Sequence, residues 1–213
     1  MNLQVSLFAI LLVRSFDATL IISFFAVYFD NASDKLSDCI GILNTTNSAF
    51  IYLQTLSISG CRSLTNLTSM SIPFTYSLTY LKLSNGGLQF VSGDALNDFG
   101  TTLHHLDLAH NELQSIPSDF FGSLTNLEIL NLSNNKFVSI DVSPFHLMRE
   151  FIIDNSPFLI TLELTQKTKT KFQDFSAHSN PKLSQFCLWI LWGSPDLQKL
   201  NIGEILRLQY QTS

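Results

Sequence analysis

Charge is scarce in this chain. Only 14% of its 213 residues are Asp, Glu, Lys or Arg, and 12 basic side chains stand against 17 acidic ones for a net charge of −5. No basic surplus exists to neutralise a phosphate backbone or an anionic leaflet, which argues against nucleic acid as a partner. Cysteine is scarce too. Cys39, Cys61 and Cys187 allow at most one bridge within the chain, so there is no disulfide framework and the redox compartment stays open. No unbroken apolar run reaches the ~18 residues of a membrane-spanning helix. Also missing are the HExxH, GxSxG and phosphate-loop signatures of common enzyme classes. What the chain has instead is hydrophobicity, 46%, too much for a disordered segment, and leucine at 35 positions. That bias directs the search to internal repeats.

The N-terminus carries two apolar stretches, Val5 to Val13 and Ala18 to Phe29, separated by Arg14, Ser15 and Asp17. The first fits the apolar region of a secretory signal with a cut near Ser15, although no basic segment precedes it. Together the two could form one interrupted anchor, since Arg14 and Asp17 are costly inside a bilayer, or they could be core segments of a cytosolic protein. Four Asn-X-Ser/Thr triplets, at Asn31, Asn44, Asn66 and Asn131, are candidate glycosylation sites and are compatible with secretion.

From residue 53 the chain repeats itself. The clearest copy reads Leu103, Leu106, Leu108, Asn111, Leu113, Ile116, Pro117, Phe121, Leu124, and the next gives Leu127, Leu130, Leu132, Asn135, Phe137, Ile140. Both fit L-x-x-L-x-L-x-x-N-x-L, a short strand followed by a return segment. Weaker copies begin at Leu53, Leu78, Met148, Phe172 and Leu197. Starts at 53, 78, 103, 127, 148, 172 and 197 give periods of 25, 25, 24, 21, 24 and 25 residues. Residues 1–29 thus read as a leader or anchor, 30–52 as an N-terminal flank or cap, and 53–213 as a repeat domain.

Strand side chains alternate, so the two leucines one residue apart enter the core and their neighbours face outward. One unit cannot bury its apolar edge, and stacked units bury it together. At the ninth position Asn111, Asn135 and Asn180 can donate their amide protons to backbone carbonyls in the bend. Cys61, Gly86 and Ser156 take that position in other units and offer fewer side-chain bonds, which predicts looser packing there. The stretch Phe186 to Trp192 is more apolar than a return segment requires and reads either as buried core or as a contact patch.

The copy Leu103 to Asn126, with its Leu-Pro and Phe positions, resembles the typical class of extracellular leucine-rich repeats found in Toll-like receptor ectodomains, Slit-like guidance proteins and small leucine-rich proteoglycans. About 150 residues are similar to that class. The resemblance implies an α/β-type curved solenoid, with a parallel concave sheet and irregular or short helical convex segments. It further implies a non-catalytic, secreted or cell-surface module that binds another protein or a glycan, needs no cofactor or metal, and contacts a membrane only if the N-terminal stretch is retained. A self-assembling matrix protein, an intracellular adaptor and a fragment of a larger receptor are the alternatives. The sequence departs from the family in its caps: Cys39 stands alone ahead of the first repeat, Cys187 has no cysteine neighbours, and Cys61, at a buried ninth position, reads as a poor bridge partner for Cys39.

Outward positions of successive strands line up as columns. The first runs Thr55, Tyr80, His105, Ile129, Glu150, Asp174, Lys199. The second runs Ser57, Lys82, Asp107, Asn131, Ile152, Ser176, Asn201, and the third Ser59, Ser84, Ala109, Ser133, Asp154, His178, Gly203. On this face Tyr80, Lys82, His105, Asp107, Glu150 and Asp154 are the candidate partner-binding residues, with Tyr80 and His105 as flat anchors and Lys82 with Asp107 as an exposed ion pair. A metal site from His104, His105, Asp107 and His110 is disfavoured, because neighbouring strand residues point in opposite directions. A glycan on Asn131 would stand in the middle of the columns. The lysines between Lys167 and Lys171 read as a solvated loop.

Overall fold

The computed structural model describes strands at residues 4–8 and 26–30 and then residues 53–69, 77–145, 148–164, 169–187 and 189–203. Two strands come first, β1 (Gln4–Phe8) and β2 (Ala26–Asp30). They are followed by β3 (Thr55–Ser59), β4 (Asn66–Leu67), β5 (Tyr80–Ser84), β6 (Phe90–Val91), β7 (His105–Asp107) and β8 (Ile129–Asn131). The chain continues through β9 (Ser139–Asp141), β10 (Glu150–Ile152), β11 (Thr161–Glu163), β12 (Asp174–Ser176), β13 (Gln185–Phe186) and β14 (Lys199–Asn201).

One sheet of nine strands runs in the order β1-β2-β3-β5-β7-β8-β10-β12-β14. It is parallel throughout except for β1, which pairs antiparallel with β2. The repeat starts inferred from leucine spacing each deliver one rung of this sheet. Ahead of them β2 adds a further rung, with Val27 opposite Leu56 and Phe29 opposite Ile58. The remainder of the apolar N-terminal stretch lies outside the described residues, as do Asn31, Cys39, Asn44 and Lys167.

Among the described residues the return segments are short and mostly irregular, with single 3-10 turns at Asn97–Phe99, Ser118–Phe121 and Ser143–Phe145 and one helical turn at Trp189–Trp192. Two small parallel sheets, β4-β6 and β9-β11-β13, stiffen the far side. This is the curved α/β-type repeat, with little helix, expected from the sequence.

The core is a continuous column between the layers. Leu53, Leu56, Leu78, Leu81, Leu103, Leu106, Leu130 and Leu132 are fully buried, and towards the C-terminal half phenylalanine takes over. Phe151, Phe172 and Phe175 pack with ring centroids 5.4 to 6.2 Å apart. Because each rung touches only its neighbours, substituting Phe for Leu in two adjacent rungs keeps volume and register together.

Ninth-position asparagines tie consecutive repeats to each other as well as closing their own bends. Asn111 donates to Leu108 and Ala109 in its own unit and to Leu83 in the preceding one at 2.8 Å, while accepting from the Leu88 amide. Asn135 does the same one rung later, and Asn180 donates to Ile153 and accepts from Ser156. At Ser156 the substitute makes fewer side-chain bonds, its buried hydroxyl having no partner.

Cys61 corrects the sequence reading. It is buried and disulfide-bonded, with Ser63 Oγ 3.6 Å from its sulfur. As the first of the ninth positions counted from residue 53, it precedes the rungs stitched by asparagine amides, so a bridge can occupy the bend. Cys187 carries a free thiol and is half-buried against the core. The stretch Phe186 to Trp192 divides: Phe186 and Ile190 are core, whereas Trp192 is 73% exposed. Among the described residues no helix is long and apolar enough to cross a membrane.

Candidate functional site

Strand register sets the concave face. Thr55, Tyr80, His105, Ile129, Glu150, Asp174 and Lys199 are successive partners across the sheet, and so are Ser57, Lys82, Asp107, Asn131, Ile152, Ser176 and Asn201. Both columns stand as the spacing of the leucines placed them. The six candidate residues fall into two groups on this face. Tyr80, Lys82, His105 and Asp107 sit together on β5 and β7, while Glu150 and Asp154 lie two rungs further on, beyond Ile129 and Asn131.

In the first group the Tyr80 and His105 rings stack with centroids 4.4 Å apart and planes tilted by 36°. Burial among these neighbours disfavours the imidazolium and lowers the His105 pKa below its ordinary 6.5. Asp107 opposes that shift and Lys82 reinforces it. Lys82 Nζ lies 3.3 Å from Asp107 Oδ2. The pair is less exposed than the sequence suggested: Asp107 is buried, because its Oδ1 turns inward to accept the Ala109 amide at 3.0 Å. That second bond fixes the carboxylate and leaves Lys82 as the outward member.

The second group centres on Asp154. Its Oδ1 accepts the Ser176 hydroxyl at 2.7 Å and the His178 amide at 2.9 Å, and its Oδ2 lies 3.1 Å from His178 Nε2. Its own amide donates to Ser133 Oγ. Glu150 is half-buried beside Asp174, whose carboxylate pairs with Lys199 at 3.0 Å. Between the groups runs an open trough of about 360 Å³, lined by Lys82, Asp107, Asn131, Asp154 and a row of bend residues.

That row was not recognised in the sequence. Asn85, His110, Asn134, Asn155 and Ser179, each one position before the bend residue, have φ of 52, 56, 57, 52 and 55°, and Gly60 stands at the equivalent position of the first repeat with φ of 85°. Left-handed backbone favours Gly and Asn, so the run Gly60, Asn85, His110, Asn134, Asn155, Ser179 at the eighth position of the first six repeats was the available signal. Four of these side chains rim the trough, and the Asn134 amide reaches His110 Nε2 at 3.3 Å.

The arrangement offers fixed carboxylates, amides, two lysines and one ring stack, which is chemistry for holding a polar surface. Among the described residues no three His, Cys, Asp or Glu side chains are placed to hold a metal, and His104 is tied to the Thr102 carbonyl.

Residues 101–151 match the family described as Leucine rich repeat. The chain is built of leucine-rich repeats. A 55-residue stretch of it is 40% identical to the Danio rerio protein named "Leucine-rich repeat and fibronectin type III domain-containing protein 1-like protein". That match covers 26% of this chain and only 8% of the zebrafish protein. Among solved structures the leucine-rich-repeat chain is similar to one from the Drosophila Toll–Spatzle complex, with a TM-score of 0.48 at 18% identity, over 70% of this chain and 20% of that one. The chain therefore spans a small part of the proteins it matches.

Proposed function

We propose that this leucine-rich-repeat chain is an extracellular, non-catalytic binding module whose concave face receives another protein. The observation that carries the reading is the trough lined by Lys82, Asp107 and Asp154, with the Tyr80–His105 stack two residues back along the same two strands as Lys82 and Asp107. Repeat proteins of this family typically bind other proteins, and here the polar groups on the face are already fixed by internal bonds, so little side-chain ordering opposes a partner. A disulfide at Cys61 supports an oxidising compartment. The zebrafish relative shares the repeat, and its fibronectin domain belongs to that protein.

Lys82 and Tyr80 are the residues expected to dominate affinity, one as the outward charge and the other as a ring held in place by its stack. The test is an array of extracellular domains probed with the purified chain. Binding that falls about 30-fold in Tyr80→Ala and Lys82→Glu, equivalent to about 2 kcal/mol, supports the concave face. Hits that survive both changes, or an array without hits, count against it.

A second reading, self-assembly, draws on Trp192, the most exposed large apolar side chain among the described residues. Sedimentation of the wild-type chain beside Trp192→Gln separates the two readings.

A further inference from the structure

We propose that Asn66 is an N-glycan attachment site and that the first sugar of its glycan packs on Phe90. The inference rests on the chain entering the secretory route. Two of the four acceptor triplets lie among the described residues, and their surroundings differ. In Asn66-Leu67-Thr68 both Asn66 and Thr68 are exposed, and Leu67 alone enters the core. In Asn131-Leu132-Ser133 the acceptor Ser133 is buried.

Phe90 supplies the independent observation. It is directly opposite Asn66 in the β4–β6 pair, and it leaves half of its surface in water while its neighbour Val91 is buried. Partners across parallel strands stand about 4.8 Å apart on the same face, so a sugar leaving Asn66 begins beside the Phe90 ring. The apolar C–H face of an N-acetylglucosamine packs on such a ring and takes its exposed half out of water.

Attachment joins the Asn66 amide nitrogen to the anomeric carbon of a lipid-pyrophosphate-linked oligosaccharide. The bond from that carbon to the pyrophosphate oxygen breaks, one amide proton is lost and the lipid pyrophosphate departs. The glycan then stands on the far side from the concave columns, leaving the trough open.

The test uses the full chain placed behind a borrowed secretion leader, so that translocation does not depend on its own N-terminus. Glycopeptide mass spectrometry should find residue 66 occupied and residue 131 bare. Enzymatic glycan removal should lower the melting temperature of the wild-type chain by about 2 °C and leave that of Phe90→Thr nearly unchanged. Phe90→Leu, which keeps apolar bulk without a ring, gives the same comparison should the threonine variant misfold. A bare residue 66, a glycan on residue 131, or equal losses in ring-bearing and ring-lacking chains overturns the proposal. Occupancy at 66 behind the borrowed leader, with no export from the chain's own N-terminus, overturns the extracellular reading alone.

Discussion

Removing the Asn135 side chain should loosen the solenoid at one defined joint. Asn135 is almost fully buried at 1% exposure, and its amide donates to the carbonyls of Leu108 at 3.0 Å, Leu132 at 2.9 Å and Ser133 at 3.3 Å. Its Oδ1 accepts the Leu113 amide at 3.0 Å. Two amide protons serve three carbonyls, so Asn135→Ala deletes about three full hydrogen bonds; at roughly 1 kcal/mol each, the expected loss is about 3 kcal/mol, more where a stranded group stays dry. Asn135→Asp keeps the acceptor for Leu113 but turns a carboxylate towards three carbonyl oxygens. Its proton is then held more tightly in the folded chain, the carboxyl pKa rises on folding, and the variant should lose stability as pH increases. Urea denaturation followed by far-UV circular dichroism gives the global effect, and hydrogen exchange at the Leu113 amide gives the local one. A loss below about 1 kcal/mol for Asn135→Ala, or an aspartate variant more stable at neutral than at acid pH, refutes the ladder argument.

Other expectations follow from the same geometry. Gly87→Ala places a methyl group on the Arg62 carbonyl oxygen and should cost about 2 kcal/mol in a urea midpoint measurement. His105 should titrate below 6.5 by NMR, and its stabilising contribution, present above 6.5, should fade as pH drops through the folded-state value; Lys82→Met should move that midpoint upward. Ile190→Asn should unfold the C-terminal rungs whereas Trp192→Gln should not, because the first side chain is 1% exposed and the second 73%. A thiol reagent added to denatured, unreduced protein should modify one cysteine per chain, Cys187.

The rungs and columns were legible in the sequence because one short motif fixes both: leucines two apart set the strand and its facing, and recurrence of that motif sets the register even where the repeat shortens to 21 residues. Thr55 through Lys199 therefore form one column that the spacing alone predicts. Burial within a column was less legible. Asp107 and Lys82 look alike as outward charges, and only the bond from Asp107 to the Ala109 amide, two residues along the chain, draws one of them inward. The rung at Ala26–Asp30 was hidden because the register partners of Leu56 and Ile58 are Val27 and Phe29, within a stretch that also reads as a leader. Cys61 misled for a related reason, since a buried bend position says how much space is available and not which bond fills it. The row of left-handed residues from Asn85 to Ser179 was visible in principle as an excess of Asn at one repeat position, overlooked beside the structural Asn that follows it.

Export of the chain from its own N-terminus tests the extracellular reading most directly. Expressed in a secretory cell line, the protein should appear in the medium, begin beyond Ser15, and gain mobility on enzymatic deglycosylation. A full-length, unshifted species confined to the cytosol would contradict the account and place this leucine-rich-repeat chain among intracellular adaptors.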